Sequence, residues 1–285
     1  MPAAVTVHLL GVRGTVGAVL AGALAGAPGI ALRGYSGAPG PRSYAAFLAD
    51  WRGAPDDVVV VAGGATRGAL AELVDAHVTR LARALDRFEA AGWPGRLLLL
   101  GSAAELVPES TYGAVKAAQH RLAAAAAGAR GVPLVCLRLH SLVPEARPAR
   151  GLFAELLAQF EAGGAVSVHH LGGARDYVSG AQLGLACATI AAHPEAWADP
   201  APRVVDVGNG APVTVTDWLA AFRHELGPEP ALEEQRPGHP DRSIVADPAP
   251  LRELLARCDP GAVARYEALR PDLGRLIRGW RAGAP

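Results

Sequence analysis

Lysine is nearly missing from this 285-residue sequence: of 27 basic side chains, 26 are arginine and one, Lys116, is lysine. Cysteine is scarce as well. The three present (Cys136, Cys187, Cys258) are widely spaced and odd in number, which excludes a disulfide framework and a paired metal-ligand motif and agrees with a reducing compartment, the cytoplasm. There is no charge excess, with 27 acidic against 27 basic side chains, and no run of like charge. Nucleic acid and anionic membrane surfaces are therefore not expected partners. No apolar run is long enough to span a bilayer. The small-residue stretch at 16–27 lacks a basic start and is broken by glycine and proline, so it reads as a buried first helix and not as a signal peptide.

What remains is an apolar, arginine-rich chain with strand and helix patterns in alternation. Residues 5–10, 29–33, 57–61, 96–100 and 132–138 read as apolar strands. Helical spacing falls after the first strand and at 43–51, 70–91 and 111–127. Near-continuous apolar strands separated by helices predict an α/β fold, a parallel sheet covered on both faces. Past residue 142 the rhythm changes. A helix is expected at 152–162, a strand at 166–170, a helix at 180–192 and a strand at 204–207, and a threonine caps the helix after 213–217.

Three constellations carry chemistry. Gly11, Gly14 and Gly17 follow the first strand and open a helix, the arrangement that lets a backbone approach a pyrophosphate and offer it helix N-terminal amides. The second strand closes on Arg33-Gly34-Tyr35 with no carboxylate nearby. Arg33, with Arg13 in the glycine loop, suits a 2′-phosphate better than a bare ribose, so NADP(H) is the expected cofactor. Tyr112 and Lys116 lie four apart on one helical face. An ammonium beside a phenol favours the phenolate and is expected to draw its pKa toward the working range. Ser102, just past the fourth strand, stands where active-site groups of open α/β sheets gather. No metal is expected, since His169-His170 has no further ligand at a suitable spacing, and His239 reads as polar surface.

Together these residues resemble the extended short-chain dehydrogenases/reductases, the NAD-dependent epimerase/dehydratase group acting on nucleotide sugars. Gly11-x-x-Gly14-x-x-Gly17 matches the cofactor loop, Gly101-Ser102-Ala103-Ala104 the catalytic serine segment, and Tyr112-x-x-x-Lys116 the Tyr/Lys pair. Arg138-Leu-His-Ser141, Arg175-Asp-Tyr-Val178 and the stretches 205–210 and 236–247 are similar to later family segments. The resemblance implies a Rossmann-type doubly wound parallel sheet with a smaller C-terminal substrate-binding lobe. Its core would be 1–142, with 177–207 returning to it, and its lobe 143–176 and 208–285. It implies Ser102, Tyr112 and Lys116 as catalytic groups. Gly11, Arg13, Gly14, Val16, Gly17, Arg33, Ala62, Gly63, Lys116 and Leu139 would hold the cofactor; Ser102, Ser141, Arg175 and Arg242 would hold a nucleotide sugar. A homodimer is implied by the same resemblance.

Within the group the sequence is most similar to NDP-4-keto-6-deoxyhexose 4-ketoreductases of deoxysugar and antibiotic biosynthesis, which implies reduction of a 4-keto group on a nucleotide-linked, dTDP-type sugar. Dehydratases carry an Asp-Glu pair where Ala103-Ala104 stand here. His77 occupies the place of a usual asparagine. Two other readings stay open: an epimerase with a retained NAD(P), and a non-catalytic Rossmann-like binding protein.

Overall fold

The computed structural model describes residues 4–107, 110–163, 165–168, 171–199, 201–227, 231–235 and 243–283. In chain order it begins β1 (Val5–Leu10), α1 (Thr15–Ala25), β2 (Ile30–Tyr35), α2 (Tyr44–Asp50), β3 (Val58–Val61), α3 (Leu70–Val74), α4 (Arg80–Ala90), β4 (Arg96–Ser102), α5 (Thr111–Arg130) and β5 (Leu134–Leu139). It continues β6 (Ser141–Leu142), α6 (Leu152–Ala162), β7 (Val166–Val168), β8 (Arg175–Val178), α7 (Gly180–Ala192) and β9 (Arg203–Val207). The last elements are β10 (Pro212–Val213), α8 (Val215–Leu226), β11 (Leu232–Glu234), α9 (Ala249–Cys258), α10 (Ala262–Ala268) and α11 (Leu273–Arg281).

Two compact units result. The first takes 1–139, 181–207 and 247–268. Its six strands run in the order β2-β1-β3-β4-β5-β9, parallel throughout. Side chains of a strand alternate between faces, and here both sets are buried. Leu10, Val59, Val61, Leu97 and Leu99 meet Phe47, Trp51, Phe88 and Trp93 from the α2 and α4 side. Val58, Val60 and Leu98, pointing the other way, are equally inaccessible. Each large apolar side chain sequestered in this way contributes about 1.5–3 kcal/mol. On the described residues no helix is long and apolar enough to cross a membrane.

The second unit takes 140–180, 208–246 and 269–285. It pairs β10-β8-β6 and β11-β7 in two small sheets around Trp218, Phe222, Trp280 and Tyr177. Residues 247–268, expected with the lobe, join the sheet unit instead: Leu251, Leu254 and Leu255 of α9 are buried, and the Gln182 amide of α7 donates to the Tyr266 carbonyl at 3.1 Å.

Three local departures from the sequence reading bear on the site. β2 runs two residues past Arg33, because the Gly11 and Val12 amides both donate to the Tyr35 carbonyl, at 2.8 and 3.1 Å. The helix expected over 70–91 is interrupted at Asp75–Thr79 by one π-type turn, a form that recurs at functional sites. The strand expected at 166–170 is described as far as Val168, and His169-His170 lies outside the described residues.

Candidate active site

The strand order reverses at β1, which has β2 on one side and β3 on the other. Ligands of open α/β sheets bind beyond the carboxyl ends at such a switch point. Here the two loops interlock backbone to backbone. A Cβ on Gly11, whose φ is 101°, would lie 2.3 Å from Gly63 Cα, and one on Gly17 would lie 2.0 Å from the Gly11 carbonyl oxygen. Those glycines are demanded by the fold. Gly14 is not: its φ is −75°, and the nearest atom to an added Cβ is the Gly11 oxygen at 3.5 Å. It caps α1 without a side-chain hydrogen bond, leaving the first-turn amides around Val16 to an anion. The cradle therefore fits the pyrophosphate of a nicotinamide dinucleotide. Gly14→Ala should cost less than about 1 kcal/mol of stability yet weaken nicotinamide dinucleotide binding about tenfold, roughly 1.4 kcal/mol, as read by a thermal melt and a fluorescence titration.

Beside the loop is a hollow lined by Gly11, Ser36, Gly37, Tyr44, His77 and Arg80, among others, and by no carboxylate. Arg33 is not part of it. Because β2 continues to Tyr35, Arg33 sits within the strand and lines a separate hollow with His8, Tyr35 and Trp51. Its expected place beside the cofactor ribose is corrected accordingly. Arg80 is the arginine that borders the first hollow, paired with Asp75 at 3.2 Å. Arg13 is exposed on the glycine loop. Ala62 and Gly63 follow β3, with the Ala62 amide donating to the Leu10 carbonyl at 2.9 Å. Leu139, at the end of β5, pairs with Ser102 on one side and Val207 on the other.

Ser102 is the last residue of β4 and caps a 3-10 turn at Ala103–Leu106, its Oγ accepting from the Ala104 amide at 3.2 Å. The start of α5 is pressed onto this turn. Ser110 Oγ accepts from the Gly113 amide at 2.9 Å, and a Cβ on Gly113 would lie 2.4 Å from the Ala104 oxygen. That close approach brings the Tyr112 phenol to the Ser102 hydroxyl. Burial raises the pKa of Tyr112, and the hydrogen bond with Ser102 draws it partly back.

Lys116 departs from expectation. It is 4% exposed, and its Nζ donates to the Leu100 carbonyl at 2.7 Å and to Gln119 Oε1. Burial lowers its pKa to about 8, with Cys136 and Glu105 opposing that shift. The groups acting on the Tyr112 phenol are its own burial and Ser102, so the expected lowering of its pKa by the ammonium is corrected. One helical turn separates the two side chains, and the ammonium is held by the Leu100 carbonyl of β4 and by Gln119 of α5.

His77 stands in the π-type turn and is buried. Its Nε2 lies 2.7 Å from the Ala65 carbonyl, its ring centroid is 5.7 Å from that of Tyr112, and a Cβ on Gly64 would fall 1.9 Å from its Cε1. Burial first, then the Lys116 charge, lowers its pKa. The ring is thus neutral near pH 7 and donates to Ala65, bracing the loop after β3 against the tyrosine.

The remaining predicted site residues belong to the second unit. Ser141 pairs with Tyr177 across β6 and β8. Arg175 opens β8 opposite Val213. Arg242 and His239 lie outside the described residues. Sequence reasoning missed Glu105, Gln119 and Asp176. Gln119 was signalled only by its i+3 spacing from Lys116, whereas the partners of Glu105 are 15 and 33 residues away.

Solved structures of related fold cover almost the whole chain. MoeE5 in complex with UDP-glucose and NAD is 19% identical, with a TM-score of 0.73 over 98% of this chain and 100% of that one. RMD from Pseudomonas aeruginosa complexed with NADPH is 16% identical, with a TM-score of 0.74 over 97% and 99%. UDP-glucuronic acid 4-epimerase from Bacillus cereus in complex with NAD is 14% identical, with a TM-score of 0.72 over 93% and 98%. At these identities the likeness is one of fold. Among curated proteins none matches the sequence. The NAD dependent epimerase/dehydratase profile matches residues 55–208, a stretch that holds Ser102, Tyr112 and Lys116 but not the glycine loop. With more than half of its length so matched, the chain belongs to the NAD-dependent epimerase/dehydratase family of extended short-chain dehydrogenases/reductases.

Proposed function

We propose that the protein is an NADPH-dependent reductase of the keto group of a nucleotide-linked sugar, with a 4-keto-6-deoxyhexose as the substrate class favoured by the sequence resemblance. The observation that carries this reading is the Ser102–Tyr112 pair: a half-buried phenol whose pKa burial raises, so that it is protonated at neutral pH, with a second hydroxyl beside it. A protonated phenol is the acid that a carbonyl reduction needs. The nicotinamide, when bound, supplies hydride to the carbonyl carbon. Tyr112 gives its proton to the carbonyl oxygen as negative charge gathers there, and Ser102 hydrogen-bonds the same oxygen. Lys116 is assigned to the nicotinamide ribose, the role that the family resemblance implies for it. The first-turn amides of α1 around Val16 are assigned to the pyrophosphate, while Ser141, Arg175 and Arg242 are assigned to the sugar nucleotide. Alanines at 103 and 104 give elimination neither an acid nor a base. The carboxylate-free hollow bordered by Arg80 supports NADPH over NADH.

The test is oxidation of NADPH and of NADH by the purified protein with a panel of nucleotide-linked keto sugars. Turnover with NADPH is expected. Tightly held nicotinamide with sugar interconversion and no added reductant would instead identify an epimerase. Failure to bind either cofactor would identify a binding protein.

A pH profile follows from the same groups. Lys116 is charged below about 8 and neutral above it, while the phenol stays protonated across that range. kcat/KM is therefore expected to be level below pH 7.5 and to fall about tenfold per pH unit beyond the lysine pKa. A profile flat to pH 10 would remove Lys116 from the reaction.

A further inference from the structure

Gln119 is a buried polar side chain of α5 that the reduction chemistry leaves without a task. It is 1% exposed and stands three residues after Lys116, on the same side of the helix. An amide taken that far from water needs hydrogen-bond partners inside the protein. Its Oε1 accepts from the Lys116 ammonium. The second acceptor of that ammonium is the Leu100 carbonyl of β4, 2.7 Å from Nζ. Among the described residues these are the hydrogen bonds that Lys116 makes, and neither acceptor is charged.

The residue type at position 119 decides what the contact does. An ammonium has three N–H donors, so two acceptors fix its direction and leave one donor over. A carboxylate in that place would neutralise the charge, and an apolar side chain of equal length would leave the ammonium one acceptor short. A neutral amide oxygen does neither. It accepts a charge-assisted hydrogen bond and lets the positive charge act on whatever the third donor meets. The titratable groups around the ammonium are Cys136 on β5, Glu105 on the 3-10 turn, His77 in the π-type turn, and Tyr112 one turn back on α5. Among the described residues none of these hydrogen-bonds to it, so Leu100 and Gln119 set where it points.

We propose that Gln119 is a positioning residue for Lys116: with the Leu100 carbonyl it takes two of the three ammonium donors and leaves the third for the nicotinamide ribose. The ribose as the target of that third donor rests on the reductase reading. The hold of Gln119 on the ammonium does not.

The single lysine of the chain makes a direct test available. Protein grown with 13Cε-labelled lysine gives one side-chain resonance, and its shift against pH reports the Lys116 midpoint without substrate or cofactor. Gln119→Met keeps the side-chain length and removes the acceptor. Its midpoint should fall by about one pH unit or more, because a hydrogen bond to the charged form favours that form. Gln119→Glu supplies the acceptor together with a charge, and its midpoint should rise by about one unit or more. Loosened packing alone would move both variants the same way. A methionine variant within about 0.3 pH unit of wild type would overturn the proposal. So would an unmoved midpoint in Gln119→Glu, which decides the question if the methionine variant fails to fold. For the ribose, Gln119→Met should bind NADPH about tenfold more weakly in a fluorescence titration; unchanged affinity beside a shifted midpoint would overturn the assignment of the third donor. Because the resonance is read on resting protein, a failed reductase assay leaves the Gln119 result standing, and the converse also holds.

Discussion

Tyr112→Phe should lower kcat with NADPH and a keto sugar by about 10²- to 10⁴-fold, the usual contribution of a positioned general acid. Its melting temperature and its affinity for NADPH should stay close to wild type. The expectation is sharp because the substitution removes one oxygen and keeps the ring. The edge contact with His77 at 5.7 Å survives, so the loop after β3 remains braced. Ser102 keeps its cap on the 3-10 turn through the Ala104 amide. What disappears is the proton. Full turnover in Tyr112→Phe would end the mechanism, whereas equal losses in turnover and cofactor binding would show that the ring positions the dinucleotide.

The largest stability effect is expected in the second unit, at Asp176. Its carboxylate is fully inaccessible. It accepts the Asn209 amide at 2.9 Å, the Gly210 amide at 2.7 Å and the Ala246 amide at 3.3 Å. Asn209 completes the clasp by donating from its side chain to the Tyr177 carbonyl at 2.6 Å. One charged side chain thus fixes the turn after β9 to β8 and to the segment before α9. Asp176→Ala strands the buried amides of Asn209 and Ala246, each costing about 1–3 kcal/mol, and leaves that of the exposed Gly210 to water, so a loss on the order of 2–5 kcal/mol is expected in urea unfolding. Asp176→Asn retains one acceptor oxygen and should lose less. An alanine variant within 1 kcal/mol of wild type would mean that water replaces the carboxylate. The neighbouring glycine tells the same story sterically: a Cβ on Gly208 would meet Ala246 Cβ at 2.3 Å and Asp176 Oδ2 at 2.8 Å. The Asp of Arg175-Asp-Tyr-Val178 is thus structural, a role that spacing alone did not disclose.

The alternating strands and helices of the sheet were legible because buried parallel strands carry long apolar runs, as in Leu97 to Leu100 and Val58 to Val61. Ser102 and Tyr112 were legible too, since each sits at an element end defined by local pattern. The direction taken by Lys116 was not. Spacing on α5 sets which face a residue occupies, but the choice between the phenol and the Leu100 carbonyl depends on what β4 offers across the interface. Arg33 was misplaced for a related reason: the end of β2 is set by hydrogen bonds from Gly11 and Val12 to Tyr35, and those donors lie on another strand's loop. The final helices went unread because their apolar faces are short, as with Leu251, Leu254 and Leu255 in α9.

The interlock of Gly11 with Gly63 sets limits on redesign. With no side chain between these loops, their separation is fixed by main-chain atoms, whereas Gly34 is confined by a side chain, since a Cβ there would fall 2.9 Å from Val12 Cγ2. Coenzyme preference cannot be retuned by mutation at that seam without forcing the strands apart. The ground for such a change is the short excursion from Ser36 to Ser43, tied at its base by a bridge between those two serines and exposed at 39–42. On the proposed NADPH preference, an acidic graft there is the natural route toward NADH.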